Sequence, residues 1–250
     1  MSEFAARIAV ITGGGRGFGK AFGHALALRG AHVVLVELDH DAGLAAAAEI
    51  RAAGFSAEAL AGDVADEDRM TAVMADVAAR HGGIDIVVNN AGIHSAEANK
   101  PIGALGIKAA RRMFDVNVWG VINCTLAARP HMAGRTGAAM VNISSMAAYG
   151  AVMAYGVTKL TVQGLTMSFA HELAADGIRV NAIAPGLIFT DTIRAELGQD
   201  LIDRVMQTQI LQRKGEERDI VEAMLHLVSD RSGFMTGETI RVSGGASLQV

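Results

Sequence analysis

The sequence predicts an α/β fold in which one doubly wound parallel sheet of seven strands carries helices on both faces. Short runs of β-branched residues alternate with longer segments of helical period, which is the pattern of successive βαβ units. No Pro/Ser-rich linker and no shift in composition divides the 250 residues, so we expect a single domain over residues 1–250.

The individual strands and helices are predicted from these two patterns. Apolar, β-branched runs predict strands at 7–12, 32–37, 57–61, 84–89, 138–144, 178–183 and 239–242. Apolar residues at helical spacing predict helices at 17–30, 40–53, 66–81, 107–129, 151–176 and 216–229, with a shorter pair between 190 and 210. Right-handed crossovers then place helices on both sides of the sheet.

Composition and charge exclude several classes of partner. Hydrophobic residues form 51% of the chain, yet no apolar run approaches the ~20 residues that span a membrane. The net charge of −4 is spread without basic clusters, so we expect neither a nucleic acid nor an anionic membrane as partner. Residues 1–6 lack the pattern of an export signal and Cys124 is the single cysteine, so we expect a cytoplasmic protein without a disulfide.

Polar residues stand where each predicted strand ends. They are Thr12-Gly13, Glu37, Asp63, Asn89-Asn90, Ser144-Ser145 and Pro185-Gly186. The carboxyl ends of parallel strands line one crevice, where ligands bind. The sequence therefore predicts that six segments converge on a single site.

A glycine cluster between the first strand and the first helix predicts a dinucleotide site. Gly13 permits the turn, and Gly17 and Gly19 let a diphosphate approach backbone N–H groups at the helix start. Glu37, 18 residues after Gly19, can bind both adenosine ribose hydroxyls and would repel a 2′-phosphate, which favours NAD over NADP. Arg16 acts in the opposite direction, since a guanidinium there can pair with a 2′-phosphate.

Tyr155 and Lys159 lie four residues apart, so a helix places them on one face. An ammonium about 4 Å from a phenolate attracts it by roughly 4 kcal/mol at an effective dielectric near 20. We therefore expect a lowered Tyr155 pKa that makes it a general acid or base. The eight histidines show no pair at metal-ligand spacing near a carboxylate motif, so no catalytic metal is predicted.

Taken together, these motifs resemble the single-domain branch of the short-chain dehydrogenase/reductase family, whose fold is the Rossmann fold. The likeness rests on Thr12-Gly13-x-x-x-Gly17-x-Gly19, Asp63-Val64, Asn89-Asn90-Ala91-Gly92, Asn117, Ser145, Tyr155-x-x-x-Lys159 and Pro185-Gly186 followed by Thr190, in family order. It implies a cofactor site formed by Gly13, Arg16, Gly17, Phe18, Gly19, Glu37, Asp63, Val64, Asn89, Ala91, Gly92, Tyr155, Lys159, Pro185, Gly186, Ile188 and Thr190.

The resemblance also implies a role for each group. Asp63 and Val64 would hold the adenine, Asn89 and Ala91 would form the floor beneath the cofactor, and Ile188 and Thr190 would contact the nicotinamide end. For catalysis, Tyr155 would transfer the proton, and Lys159 would lower its pKa and bind the nicotinamide ribose. Ser145 would stabilise the substrate oxygen, and Asn117 would hold a water that relays protons.

The loop between Ser145 and Tyr155 departs from the family pattern, because it is shorter than usual. It could open the substrate side of the cleft, or it could place Ser144 in the catalytic position. Tyr149 lies within this loop and is interpreted as a pocket or core residue. In the family, substrate choice depends on segments that here include about 187–212.

These segments contribute a mostly apolar set of residues: Leu187, Phe189, Ile193, Met206, Tyr149, Met153 and His94. They favour an alicyclic, aromatic or steroid-like alcohol over a sugar. The helices at 107–129 and 151–176 carry apolar residues on more than one face, so by resemblance we expect a homotetramer, with a dimer as the alternative.

Two other functions remain open at this point. An NADPH-dependent ketone reductase, such as a 3-oxoacyl-carrier-protein reductase, would use the same scaffold and the same catalytic residues. A dinucleotide-sensing protein without catalysis is disfavoured because Asn117, Ser145, Tyr155 and Lys159 are all present. An enoyl reductase would space its Tyr and Lys more widely than this chain does.

Overall fold

A computed structural model describes residues 2–95, 99–189 and 206–246. These residues form a seven-stranded sheet in which all neighbouring strands are parallel. The strands are β1 (Ile8–Thr12), β2 (His32–Glu37), β3 (Ala57–Ala61), β4 (Ile86–Asn89), β5 (Ala139–Ile143), β6 (Arg179–Pro185) and β7 (Thr239–Val242). Their order is β3-β2-β1-β4-β5-β6-β7, so the direction of winding reverses between β1 and β4. The predicted fold class is confirmed.

Nine α-helices have both of their ends within the described residues. They are α1 (Gly17–Leu28), α2 (His40–Ala52), α3 (Glu67–His81), α4 (Ile102–Leu105), α5 (Ile107–Phe114), α6 (Gly120–Met132), α7 (Ala147–Gly150), α8 (Ala154–Glu172) and α9 (Glu217–Val228). Two helices begin at an aspartate: Asp39 accepts a hydrogen bond from the Ala42 N–H (3.2 Å), and Asp66 accepts one from the Arg69 N–H (2.9 Å). Asp39 therefore caps α2.

Both long helices differ from their prediction. The one predicted at 107–129 consists of α5, a π-helical turn over Asp115–Trp119, and α6. The one predicted at 151–176 begins only at Ala154, because Ala151 is left-handed (φ 46°). The helices were predicted from the spacing of apolar residues, and a single left-handed residue does not change that spacing. Most of the shorter helix pair predicted between 190 and 210 lies outside the described residues.

Each face of the sheet packs against its own layer of helices. On one face, Leu35 of β2 shares a buried cluster with Phe22 of α1 and Met224 of α9. On the other face, Val34 shares a cluster with Met74 of α3. Since alternate residues of a strand point to opposite faces, a strand buried on both sides is apolar throughout.

No helix among the described residues is long and apolar enough to cross a bilayer. Cys124 lies in α6 with 1% of its surface exposed, and burial raises the pKa of its thiol to about 12. Cys124 is therefore a small core residue of α6.

Candidate active site

The carboxyl ends of six parallel strands bring the predicted polar segments to one edge of the sheet. Thr12, Glu37 and Asn89 are the last residues of β1, β2 and β4, and Pro185 is the last of β6. Asp63 follows β3 by two residues, and Ser144 follows β5 directly. A cleft at this edge is the ligand position expected where the winding reverses.

The glycine turn after β1 is fixed from two sides. The Gly13 N–H donates to the Val36 carbonyl (2.8 Å), and the Asn90 side chain donates to the carbonyls of Thr12 (3.0 Å) and Gly13 (3.1 Å). A Cβ on Gly19 would lie 2.0 Å from the Gly13 carbonyl oxygen, whereas one on Gly17 would meet nothing within 4 Å. Gly19 thus permits helix–turn contact, and the space beside Gly17 is open.

A cavity of about 530 Å³ lies beside this turn. Its lining includes eight of the predicted cofactor residues: Gly13, Arg16, Phe18, Glu37, Asp63, Val64, Ala91 and Gly92. It also includes Asn90 and Arg112, for which the sequence analysis assigned no role. Asn90 belongs to the motif Asn89-Asn90-Ala91-Gly92, so the sequence could have indicated its place in the site. Arg112 belongs to no motif and comes from a distant helix, so nothing in the sequence indicated it.

Glu37 is held in place at the end of β2. It is 7% exposed and accepts hydrogen bonds from the N–H groups of Gly15 (3.0 Å), Leu38 (2.9 Å) and Asp39 (3.3 Å). One of its carboxylate oxygens thus contacts the glycine turn, and the carboxylate lines the cavity wall.

Asp63 pairs with Arg112 of α5 across the cavity (2.9 Å), and its other oxygen accepts the Ala65 N–H (3.0 Å). Val64, which is 6% exposed, lies next to it. A ligand that uses the Asp63 carboxylate would therefore also meet the Arg112 guanidinium.

Asn89 is not among the residues that line the cavity, and its place in the floor beneath the cofactor stays a prediction. Its side-chain amide donates to Asn142 (2.8 Å) and Thr125 (3.2 Å) inside the protein, and its own Oδ1 is buried without a hydrogen-bond partner. Asn89 is the last residue of β4, and its side chain points toward the buried face while Asn90 turns to the cleft. The structure therefore places Asn90 beside the glycine turn and Asn89 beneath the sheet edge.

The segment after β6 closes the other end of the cleft. The Gly186 N–H donates to the Val242 carbonyl (2.9 Å), and a Cβ on Gly186 would lie 2.7 Å from the Ser243 Cα. The Pro185 carbonyl accepts the Met146 N–H (2.9 Å). Ile188, 4% exposed, lines a second cavity of about 540 Å³. Thr190 lies outside the described residues.

Tyr155 and Lys159 occupy consecutive turns of α8, as their spacing predicts. The Lys159 Nζ donates to the Ile143 carbonyl at the end of β5 (2.7 Å) and lies 5.7 Å from the centroid of the Tyr155 ring. Lys159 is 4% exposed, and burial lowers its pKa to about 8, so it is still mainly protonated at neutral pH.

The lowered Tyr155 pKa that the sequence predicts does not occur in this structure. Burial raises the pKa of the phenol to about 12, although a hydrogen bond with Ser145 acts in the opposite direction. The reason is geometric, because the Lys159 ammonium binds a backbone carbonyl here and not the phenol oxygen. Any lowering of this pKa therefore requires a change in the charges around the pair.

The two serines after β5 have different surroundings. Ser144 is 1% exposed, donates to the Lys159 carbonyl (2.8 Å) and accepts from Gln163 (3.1 Å). Ser145 is half-buried, accepts the Ala147 N–H (3.1 Å) and shares a hydrogen bond with Tyr155. The geometry favours Ser145 over Ser144 as the serine that faces the reacting groups.

Asn117 lies in the π-helical turn and is fully buried. Its Oδ1 accepts the Ile93 N–H (2.6 Å), while its Nδ2 donates to the Ile93 carbonyl (3.1 Å) and to the Thr158 hydroxyl (3.1 Å). This side chain joins the loop after β4 to α8, beside Tyr155 and Lys159. A water-binding role for Asn117 stays a prediction, because its side-chain amide is already used in these bonds.

The substrate side of the cleft is only partly described. The His94 and Tyr155 rings are in contact, with centroids 4.6 Å apart. Of the other predicted pocket residues, Phe189 is buried, Tyr149, Met153, Leu187 and Met206 are half-buried, and Ile193 lies outside the described residues. Arg241 lies 5.3 Å from the Tyr149 ring centroid.

Comparisons with known proteins agree with this architecture. A family model described as enoyl-(acyl carrier protein) reductase matches residues 13–247. A cis-4-hydroxycyclohexanecarboxylate dehydrogenase of Sinomonas cyclohexanicum is 38% identical over 97% of both chains. A 3-oxoacyl-[acyl-carrier-protein] reductase of Staphylococcus aureus is 35% identical over 95% of this chain and 96% of its own.

Two solved structures share the fold of this chain. A short-chain dehydrogenase/reductase from Mycobacterium ulcerans superposes with a TM-score of 0.92 at 35% identity, covering 98% of this chain and 90% of its own. A D-mannonate oxidoreductase from Haemophilus influenza, solved with bound NAD, has a TM-score of 0.91 at 25% identity, covering 98% and 96%. With the family model, the relatives and the sheet order in agreement, this chain belongs to the short-chain dehydrogenase/reductase family of oxidoreductases.

Proposed function

We propose that the protein is an NAD-dependent dehydrogenase that interconverts a secondary alcohol and a ketone. The observation that carries this proposal is the position of Tyr155, Lys159 and Ser145 at the same sheet edge as the cavity lined by Glu37. The cavity fits a dinucleotide because it adjoins the glycine turn and the start of α1 and is lined by a carboxylate at the end of β2. Glu37, Asp63 and the glycine turn would hold the adenosine half.

The chemistry divides between cofactor and protein. When bound, the nicotinamide supplies the acceptor for the hydride that leaves the alcohol carbon. Tyr155 would take the proton from the alcohol oxygen, and Ser145 would donate a hydrogen bond to that oxygen as its charge changes. Lys159 would favour the phenolate form of Tyr155. Asn117 would hold α8 and the loop after β4 at a fixed separation.

The proposed preference for NAD over NADP depends on Glu37, which disfavours a 2′-phosphate, having a larger effect than Arg16, which favours one. We expect NADH to bind more tightly than NADPH, because the buried carboxylate would repel a 2′-phosphate. The measurement is a titration with each cofactor, followed by nicotinamide fluorescence and by thermal shift.

A matched pair of variants isolates the carboxylate. Glu37→Gln should shift the ratio of the two affinities toward NADPH by at least about tenfold, since charge-assisted hydrogen bonds are worth roughly 1.5–3 kcal/mol. Asp41→Asn removes the same charge in α2, outside the cavity lining, and should leave the ratio unchanged. A wild-type preference for NADPH would contradict the assignment of NAD.

For the substrate we propose an apolar alicyclic, aromatic or steroid-like alcohol. Support comes from the buried Phe189, the half-buried Leu187 and Met153, and the Sinomonas relative, which is by name a dehydrogenase of a substituted cyclohexane. A panel of cyclohexanols, with and without a carboxylate, and of sugars distinguishes the classes. Faster turnover of sugars than of apolar alcohols would contradict this substrate class.

The second candidate is an NADPH-dependent ketone reductase. It is favoured by Arg16, which lines the same cavity, and by the Staphylococcus relative, a 3-oxoacyl-[acyl-carrier-protein] reductase by name. The cofactor titration separates it from the first candidate. We do not propose enoyl reduction, because Tyr155 and Lys159 are separated by three residues only.

We also propose that four copies of the chain assemble. Large apolar side chains are exposed along the helices predicted to pair: Trp119 (55%), Leu126 (44%), Leu160 (48%) and Met167 (58%). Exposed large apolar side chains on helices of this kind are typical of an interface. We expect light scattering at micromolar concentration to give a particle of four chains; a 26.0 kDa particle would contradict assembly.

A further inference from the structure

A cluster of two histidines and a glutamate lies at the sheet edge opposite the cleft. His32 is the first residue of β2, Glu58 the second of β3, and His81 the last of α3. Val34 pairs with Glu58 in the β2–β3 register, so the side chains of His32 and Glu58 share the face covered by α3. No spacing along the sequence indicates this cluster, because its members come from three elements.

The geometry of the cluster suits a metal ion. One candidate ligand atom from each residue lies within 4.8 Å of the other two. Glu58 Oε1 is 3.4 Å from His32 Nε2 and 2.8 Å from His81 Nε2. Ligands at about 2.0–2.1 Å from a tetrahedral zinc ion are roughly 3.3–3.4 Å apart, so small rotations of these side chains suffice.

The surrounding groups orient the three ligands. Arg80 binds the other carboxylate oxygen of Glu58 and leaves Oε1 for the two imidazoles, while Asp76 balances the Arg80 charge (2.8 Å). Ser56 Oγ lies 2.6 Å from His32 Nδ1, so the other ring nitrogen, Nε2, is the one that faces Glu58. Such partners commonly fix the ring orientation of metal-binding histidines.

We propose that His32, Glu58 and His81 form a binding site for a divalent transition-metal ion of the zinc type. Two nitrogens and one oxygen are a typical donor set for zinc, with a fourth position left for water. The site lies about 16 Å along β2 from Glu37, given about 3.3 Å per strand residue. The ion would link β2, β3 and α3, and its effect would be on stability and not on hydride transfer.

The test uses the full-length protein without a histidine tag, dialysed against a chelator. Calorimetric titration with Zn²⁺ should show saturable binding of one equivalent, and the melting temperature should rise when the ion is added. Co²⁺ should give the visible absorption of a four- or five-coordinate site in the same protein. Absence of saturable binding of either ion would overturn the proposal and leave an ion-pair cluster only.

Three variants locate the ion. His32→Gln and His81→Gln should each weaken Zn²⁺ binding by at least about tenfold, since glutamine keeps a side-chain donor for Glu58 but offers no imidazole. His171→Gln, at an exposed position near the end of α8, should bind as the wild type does. Melting temperatures without metal identify a variant that fails to fold, in which case the other variant decides. Wild-type affinity in a folded His32 or His81 variant would overturn the site.

Discussion

Replacing Tyr155 by phenylalanine should lower turnover of the alcohol by about 10²–10⁴, the usual contribution of a positioned proton-transfer group. The variant keeps the ring that contacts His94 (4.6 Å between centroids) and loses only the hydroxyl that bonds Ser145. Cofactor affinity should therefore change little. Steady-state kinetics with NADH fluorescence titration on the same preparation measures both quantities.

The chain provides its own control, because Tyr149 is the only other tyrosine. Tyr149→Phe removes a hydroxyl of the same kind, keeps the ring beside Arg241, and should retain most of the turnover. Unchanged activity in Tyr155→Phe, or an equal loss in Tyr149→Phe, would contradict the assignment of the proton to Tyr155.

The pKa values of Tyr155 and Lys159 predict that the rate of alcohol oxidation depends on pH. With the phenol pKa raised to about 12 by burial, Tyr155 is protonated at neutral pH before ligands bind. Oxidation of the alcohol needs the phenolate of Tyr155. The rate of oxidation should therefore increase with pH until the phenol, whose titration is coupled to that of Lys159, has lost its proton. Lys159→Met removes the nearby positive charge and should move this increase to higher pH, which a kcat/KM profile would measure.

The second large effect is expected at Gly19, where alanine should disrupt the cofactor turn. Its Cβ would lie 2.0 Å from the Gly13 carbonyl oxygen and 2.7 Å from Asn90 Nδ2. Relief of the first contact requires α1 or the turn to move, and the second contact displaces Asn90 from its bonds to Thr12 and Gly13. Overpacking of this kind costs about 1–3 kcal/mol or more. We expect NADH affinity to fall at least about tenfold and the melting temperature to fall with it.

A matched control is Gly103→Ala in α4, where a Cβ would meet nothing within 4 Å. Alanine there should leave NADH affinity unchanged, and its better helix propensity should stabilise the helix slightly. If Gly19→Ala binds NADH as tightly as Gly103→Ala does, the close approach of α1 to the glycine turn has no role in cofactor binding.

Much of the sheet was predictable because strand burial on both faces leaves a clear record in the sequence. Val33 to Val36 are all apolar since β2 is covered on both sides, and the polar residue that follows them, Glu37, marks the cleft edge. The π-helical turn inside the first long helix and the late start of the second were not predictable. A single left-handed residue such as Ala151 and the π-helical turn around Asn117 leave the hydrophobic period unchanged.

The sequence by itself determined the fold class, the polar motifs that follow the strands and the pair Tyr155–Lys159, because these depend on local period and spacing. Only the tertiary structure decided where side chains from distant segments meet. It placed Asn90 on the glycine turn, paired Asp63 with Arg112, turned Lys159 to the Ile143 carbonyl, and joined His32, Glu58 and His81. Burial and long-range contacts fix these arrangements, and neither is a function of separation along the chain.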